Sequence, residues 1–169
     1  ADPDSEMGPL ISPQQKESVL GRLAGVQVAF TGDAPDSAGY WVPPTVVLAD
    51  DPAAPIWREE VFGPVVAVMP FDSEEEVVRL ANDTEYGLAA GVWTSNLSRA
   101  HRMAARLEAG TIWVNTYRAM SPMSPRQGFK SSGVGVEHGT ETIKEYTRLK
   151  SVWINTSEEP VADPFVMRS

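Results

Sequence analysis

The sequence has 169 residues, a net charge of −9 and no cysteine. That length allows one domain, or a large part of one, to bury a hydrophobic core. The charge disfavours nucleic acid and anionic membranes as partners, and the lack of cysteine excludes disulfides, thiolate metal sites and a cysteine nucleophile within these residues.

The first predicted element is a helix that begins after Ser12. Ser12 is a suitable N-cap residue, Pro13 suits the first helical position, and Gln15 completes the pattern of a capping box. Three apolar residues give the helix its stripe and a glycine can end it: Val19, Leu20, Leu23 and Gly25.

Extended segments follow this helix. Alternating apolar residues over 26–30 predict a half-buried strand, and residues 41–48 form extended chain interrupted by two prolines. Residues 58–66, Arg-Glu-Glu-Val-Phe-Gly-Pro-Val-Val, are predicted to lie on a loop that enters a strand over 64–71. A second capping box at 73–76 then begins another helix.

The next segment predicts a strand, a helix and a strand. Residues 88–94 are nearly continuous apolar sequence, which is typical of a strand covered on both faces. A helical pattern over 100–107, with Gly110 as its C-cap, precedes a strand at 111–115. A short crossover helix between two buried strands predicts a right-handed parallel βαβ unit, and therefore an α/β fold.

The final third is less regular. Residues 117–139 predict a long irregular segment that is either functional or poorly ordered. A short helix is predicted at 141–146 and a late strand at 148–155, followed by a loose tail from residue 156.

No apolar run approaches the roughly 20 residues of a membrane helix, and no signal-peptide pattern opens the chain. We therefore expect a cytoplasmic protein. The loop-like start has no initiator methionine, and we expect it to be a cut end of a longer protein.

Few residues in this chain have the spacing of a known catalytic, cofactor-binding or metal site. Adjacent carboxylates at Glu59 and Glu60 point to opposite faces of extended chain, which favours a solvated edge over an acid/base pair. The glycines over 133–139 are spaced unlike a dinucleotide-binding loop. His101 and His138 without cysteine cannot build a recognisable zinc site, so no metal site is predicted.

Seven stretches of the chain form a recognisable set: Glu-Met-Gly-Pro-Leu-Ile-Ser (6–12), Pro-Pro-Thr-Val-Val (43–47), Glu-Glu-Val-Phe-Gly-Pro-Val (59–65), residues 81–94, Ala-Gly-Thr-Ile-Trp-Val-Asn (109–115), Gly-Phe-Lys-Ser-Ser-Gly-Val-Gly (128–135) and Tyr-Thr-Arg-Leu-Lys-Ser-Val (146–152). Together they resemble the NAD(P)-dependent aldehyde dehydrogenases, in family order and over nearly the whole chain. The resemblance corresponds to about the last third of a family member.

The resemblance implies a cofactor site that this chain contains only in part. In the family, a cysteine thiolate attacks the aldehyde and NAD or NADP accepts a hydride, but that cysteine, the catalytic glutamate and the cofactor domain lie upstream of these residues. By resemblance, Glu60 accepts hydrogen bonds from the nicotinamide ribose and Phe62 packs beside the nicotinamide. No catalytic residue is therefore expected within these 169 residues, and the chain alone is expected to be inactive.

The loop at 117–126 resembles the lining of the aldehyde pocket, with Tyr117, Met120 and Arg126 as substrate-binding residues. Many relatives have aromatic residues where this chain has Met120 and Arg126. An arginine at this position could hold an anionic aldehyde through a forked contact, or it could point to solvent. Both alternatives stay open at this point.

The resemblance also implies a division of the chain. Residues 1–146 correspond to a partial catalytic domain with a βαβ parallel sheet core, 147–156 to a C-terminal oligomerisation strand that joins a homo-oligomer, and 157–169 to a tail. Two alternatives remain: a non-catalytic oligomerisation or binding module derived from the family, and an unrelated α/β domain.

Overall fold

The computed structural model describes residues 7–159. The expectations for the loop-like start and for the end of the tail fall largely outside these residues. The helices are α1 Pro13–Leu23, α2 Pro55–Arg58, α3 Glu74–Asn82, α4 Leu97–Arg106 and α5 Thr142–Glu145. The strands are β1 Gln27–Thr31, β2 Thr45–Leu48, β3 Val65–Val68, β4 Tyr86–Gly87, β5 Ala89–Val92, β6 Thr111–Val114 and β7 Phe129–Lys130.

The first sheet is mixed, with β2 at its centre. β1 pairs with β2 antiparallel, and β3 pairs with β2 in parallel. Thr45 and Val47 are buried on one face of the central strand. On the other face of the sheet, Val66 and Val68 of β3 are exposed, Val66 to 59%. Alternate residues of a strand point to opposite faces, so one face of this sheet is buried and the other is exposed to solvent.

The second parallel pair is formed by β5 and β6, with α4 between them along the chain and packed against both. This is the strand–helix–strand arrangement predicted for the segment. The helix begins at Leu97, earlier than predicted, because Asn96 caps it: the Asn96 Oδ1 accepts a hydrogen bond of 2.9 Å from the Arg99 amide. Ala100 and Met103 are its buried residues.

A single parallel sheet core is not what the structure shows. Within residues 7–159 the strands form three separate sheets: β1–β3, β4 with β7, and β5 with β6. A continuous sheet needs strand edges that meet, and the chain from β3 to β5 passes through α3 without bringing those edges together. The expected burial of 88–94 on both faces is also wrong here, because α4 covers one face and Leu88 remains 56% exposed.

A network of ion pairs joins α3 to α4. The Glu74 carboxylate lies 2.9 Å from the Arg102 guanidinium and also pairs with Arg99 and Arg106. The hydrogen bond from Arg102 holds the pKa of the Glu74 carboxyl below its ordinary value. The predicted capping box at the start of α3 is present in part, since the Ser73 Oγ accepts a hydrogen bond of 3.1 Å from the Glu76 amide.

The predicted strand at 148–155 is not formed. Residues 147–157 form no helix or strand, and Trp153 is 94% exposed. A strand exists only where a neighbouring edge accepts and donates its backbone hydrogen bonds, and no described strand pairs with this segment. Separately, no helix among the described residues is long and apolar enough to cross a bilayer.

Gly110 has a different role from the predicted C-cap. The α4 helix is capped at Leu107, three residues earlier, by a backbone bond from its amide to the Met103 carbonyl. A Cβ atom at Gly110 would lie 1.5 Å from the Gln127 carbonyl oxygen. The glycine is therefore required because the 126–128 chain crosses it at van der Waals contact.

We predict opposite effects for two glycine-to-alanine substitutions. Gly110→Ala should lower the free energy of unfolding by about 2–3 kcal/mol, because the Gln127 backbone must move to admit the new methyl group. Gly21→Ala is the matched control: nothing lies within 4 Å of its Cβ position, and it occupies a helix. It should raise stability by about 1 kcal/mol through helix propensity. Urea denaturation of the full-length protein measures both, and equal stabilities would contradict the close approach.

Candidate functional site

The acidic motif follows directly from α2 and is anchored at its first residue. The Arg58 guanidinium forms a forked contact with the Asp83 carboxylate, with Nη2 to Oδ2 at 2.9 Å and Nη1 to Oδ1 at 3.2 Å. The same Nη1 donates to the Asp83 carbonyl oxygen at 3.0 Å. Such bidentate contacts fix geometry better than a single ion pair, so the start of the motif is held against the end of α3.

The two carboxylates of the motif have different surroundings. Glu59 forms an ion pair with Arg22 of α1, and its side chain is about half exposed, so this is a solvated surface pair. Glu60 is exposed and has no ion pair within residues 7–159. The pair therefore does not act as one acid/base unit, and only Glu60 presents a free carboxylate.

The backbone after Glu60 forms an unusual turn at Phe62. Phe62 has φ of 52°, in the left-handed region, which costs a non-glycine residue about 1–2 kcal/mol. Its ring is 71% exposed. The following residue, Gly63, packs so closely on the buried Val19 of α1 that a Cβ atom would lie 2.8 Å from the Val19 Cγ2. The turn thus presents an aromatic ring outward from a backbone pressed against α1.

Gln15, one helical turn before Val19 on α1, also holds this turn. Its Nε2 donates to the Phe62 carbonyl oxygen at 3.0 Å and to the Val61 carbonyl oxygen at 3.3 Å. The Ser12 Oγ accepts from the Gln15 backbone amide at 3.1 Å, so half of the predicted capping box is present. The sequence pattern assigned the Gln15 side chain to the helix cap, and for that reason it was missed as part of the site.

Tyr86 of β4 is a second residue that the motif pattern did not indicate. The charge of Glu85, partial burial and then the charge of Glu60 raise the pKa of the Tyr86 phenol above its ordinary value. A phenol is protonated at neutral pH, and this shift moves its deprotonation further from neutrality. Tyr86 can therefore donate a hydrogen bond at this surface.

The residues that the resemblance assigned to a substrate pocket line one cleft. The cleft has a volume of about 720 Å³, and Tyr117, Met120 and Arg126 all border it. Trp113 of β6 supports the wall, since its ring packs edge-on against Tyr117 at a centroid distance of 5.6 Å. Its Nε1 also donates to the Ala119 carbonyl oxygen at 2.7 Å. An aromatic wall of this kind suits a small, partly apolar ligand.

Arg126 enters the cleft from a backbone bridge. Its amide donates to the Glu137 carbonyl oxygen at 2.7 Å, and the Glu137 amide donates back at 2.8 Å. Arg126 is half-buried, and its guanidinium makes no ion pair with any residue over 7–159. A cation at the border of a cleft without an internal partner can accept an anionic group.

The glycine-rich segment also borders the cleft, next to the bridge between Arg126 and Glu137. Gly133 and Gly135 have positive φ angles of 129° and 89°, and both border the cleft. No helix begins directly after them, since α5 starts at Thr142. A dinucleotide loop places its phosphate at a helix N-terminus, so this segment forms a cleft wall instead.

The segment 82–87 connects the acidic motif to the cleft. On one side Asp83 receives Arg58. On the other side the Lys130 Nζ donates to the Asn82 carbonyl oxygen at 2.7 Å, and the Ser132 Oγ accepts from the Gly87 amide at 2.9 Å. One rigid connection therefore supports both candidate sites. Over the described part of the chain, no cluster of His, Cys, Asp or Glu side chains could hold a metal ion.

The fold is mixed α/β, and the described residues present an unpaired carboxylate and an exposed ring at one place and a cleft with an aromatic border at another. The family description "Aldehyde dehydrogenase family" matches residues 1–152. The chain belongs to the aldehyde dehydrogenase family.

Individual relatives agree with this assignment. A betaine aldehyde dehydrogenase of Cereibacter sphaeroides is 46% identical, covering 97% of this chain and 35% of its own length. The (Z)-2-((N-methylformamido)methylene)-5-hydroxybutyrolactone dehydrogenase of Acinetobacter baylyi is 42% identical, covering 99% and 36%. An aldehyde dehydrogenase of Bacillus cereus, solved as an NAD+ complex, superposes with a TM-score of 0.84 at 45% identity, covering 92% and 33%. The chain therefore spans about a third of the length of these relatives.

Proposed function

We propose that this chain is part of an oxidoreductase that oxidises an aldehyde to a carboxylic acid with NAD or NADP. The family assignment and the NAD+ complex of the Bacillus cereus relative support the proposal. The chain contains no cysteine, so the thiolate nucleophile that the family uses must come from residues outside this sequence. We accordingly propose that the 169 residues alone do not turn over.

The free carboxylate of Glu60 is the observation that carries the cofactor assignment. Its neighbour Glu59 is neutralised by Arg22, whereas Glu60 keeps its acceptor capacity for the two adjacent hydroxyl groups of a ribose. The exposed Phe62 ring, fixed on its turn, limits where a flat heterocycle can lie. These residues fit the nicotinamide end of NAD or NADP. When bound, the cofactor takes up the hydrogen and electron pair released in oxidation of the aldehyde.

The aldehyde cleft is the second half of the proposal. Tyr117 and Met120 supply an apolar border for the aldehyde chain, and Arg126 supplies a cation at the edge. Because Arg126 lacks a partner within residues 7–159, we propose that it binds a carboxylated or otherwise anionic aldehyde. Its planar fork would match a carboxylate through two parallel hydrogen bonds.

The C-terminal segment is proposed to act between subunits. We divide the chain into a partial catalytic domain at 1–146 with a βαβ parallel sheet core, an oligomerisation strand at 147–156 and a tail at 157–169. Exposed apolar side chains in a segment without a sheet partner support a strand that pairs with a second copy. The lack of cysteine is compatible with a reducing, cytoplasmic address.

The cofactor assignment is tested by Glu60→Gln in the full-length enzyme. Glutamine still accepts hydrogen bonds but loses the charge that strengthens them, and misplacement of the nicotinamide should lower kcat roughly tenfold. Glu59→Gln is the matched control: it removes a surface ion pair and should leave kcat within about twofold. Stopped-flow measurement of NADH formation gives both values. Unchanged kinetics for Glu60→Gln would remove the proposed role.

Arg126 is tested through substrate charge. In Arg126→Gln, kcat/KM for an aldehyde with a carboxylate should fall by roughly 10- to 100-fold, the range for a lost charge-assisted contact. A neutral aldehyde of the same length should be affected less than about threefold. Arg79→Gln, on the exposed side of α3, controls for the change in net charge. An equal loss for both aldehydes would show that Arg126 does not read the substrate charge.

The oligomerisation strand is tested by Trp153→Asp in the full-length protein. A charge at a buried interface position costs several kcal/mol, so the mass measured by light scattering after gel filtration should fall toward that of a smaller assembly. Ser157→Asp adds the same charge just beyond the proposed strand and should leave the mass unchanged. The proposal fails when both variants keep the wild-type mass.

A further inference from the structure

We propose that Gln15 is a positioning residue for the nicotinamide edge, acting through the backbone of the turn at Phe62. The inference rests on the proposed function of Glu60 and Phe62. Gln15 belongs to a different helix and is separated from Phe62 by 47 residues along the chain. It reaches the turn with one amide nitrogen that donates to two successive carbonyl oxygens.

The turn needs an external constraint because its conformation is unfavourable. Phenylalanine at φ of 52° relaxes toward extended or right-handed backbone unless neighbouring groups prevent it. Both carbonyl groups flanking Phe62 point to the Gln15 amide, so any rotation of either peptide plane breaks one of the two bonds. Arg58 fixes the chain only before Glu60, and Gly63 only after Phe62. Gln15 is therefore the contact that orients the residues between these two anchors.

The side-chain amide of Gln15 is not needed for capping α1. The Ser12 Oγ bonds to the backbone amide at position 15, and every residue except proline keeps that donor. In a complete capping box the Ser12 amide would also donate to the side-chain oxygen of residue 15; here the Gln15 side chain turns to the 61–62 carbonyl groups instead. The role at the turn can therefore be separated from the role in the helix by substitution.

Two substitutions distinguish these roles in the full-length enzyme. Gln15→Ala removes both donors. Gln15→Glu keeps the size and favours the first turn of a helix, but it presents acceptor oxygens to two carbonyl groups. Gln14→Ala is the control, because Gln14 is the exposed neighbour of Gln15 on the same helix.

The first measurement is hydrogen–deuterium exchange without cofactor. Peptides that contain residues 59–65 should exchange faster in both Gln15 variants and at the wild-type rate in Gln14→Ala. The second measurement is kinetic: kcat should fall roughly tenfold in both Gln15 variants, as expected for a misplaced reacting group. The KM for NAD+ should change less than about threefold, because most of the cofactor is bound elsewhere. The melting temperature of Gln15→Glu should not fall.

The outcomes separate the inference from the function it rests on. Unchanged exchange, or faster exchange with unchanged kcat, overturns the positioning role of Gln15 while a loss of kcat in Glu60→Gln leaves the cofactor assignment standing. A parallel fall of kcat and melting temperature in Gln15→Glu also overturns it, since the effect is then global destabilisation. Wild-type kinetics in Glu60→Gln overturns the proposed function itself, whatever the Gln15 variants do.

Discussion

The left-handed backbone at Phe62 is the constraint on which the candidate cofactor edge depends. A phenylalanine does not adopt this conformation without support, and two features of α1 supply it. Gln15 bonds the carbonyl groups on both sides of the turn, and Val19 leaves room only for a glycine at position 63. The direction in which Glu60 and Phe62 are presented is thus set by a helix far away in sequence.

The cleft depends on the same kind of contact at Gly110. The chain at Gln127 crosses this glycine at a distance that no other residue allows, which places the loop with Arg126 over the βαβ unit. Lys130 and Asp83 then tie the loop and the acidic motif to opposite sides of the short segment 82–87. Both candidate sites are therefore bonded to one short segment, which fixes their positions relative to each other.

Local signals were predictable from the sequence, whereas roles decided by distant contacts were not. The N-cap bonds at Ser12 and Ser73 need only neighbouring residues, and both form, although the reciprocal half of each predicted capping box does not. Gly110 follows a helical pattern and was therefore interpreted as its C-cap, although Gln127 determines its role. The candidate site shows the same limit: spacing favoured a solvated edge for Glu60, and only the family resemblance indicated a cofactor role.

The remaining differences between the predictions and the structure arise because the burial and the strand pairing of one segment depend on other segments. A mixture of polar and apolar positions predicted a strand over 148–155, and a nearly continuous apolar run predicted cover on both faces of 88–94. Neither pattern states which segment supplies the partner. In the described chain the first segment has no edge to join and the second has one covered face. The open face of the β1–β3 sheet, with Phe30 60% exposed, follows the same rule. The apolar side chains on this open face are placed for a packing contact that the described residues do not supply. This agrees with a chain that spans about a third of the length of its relatives.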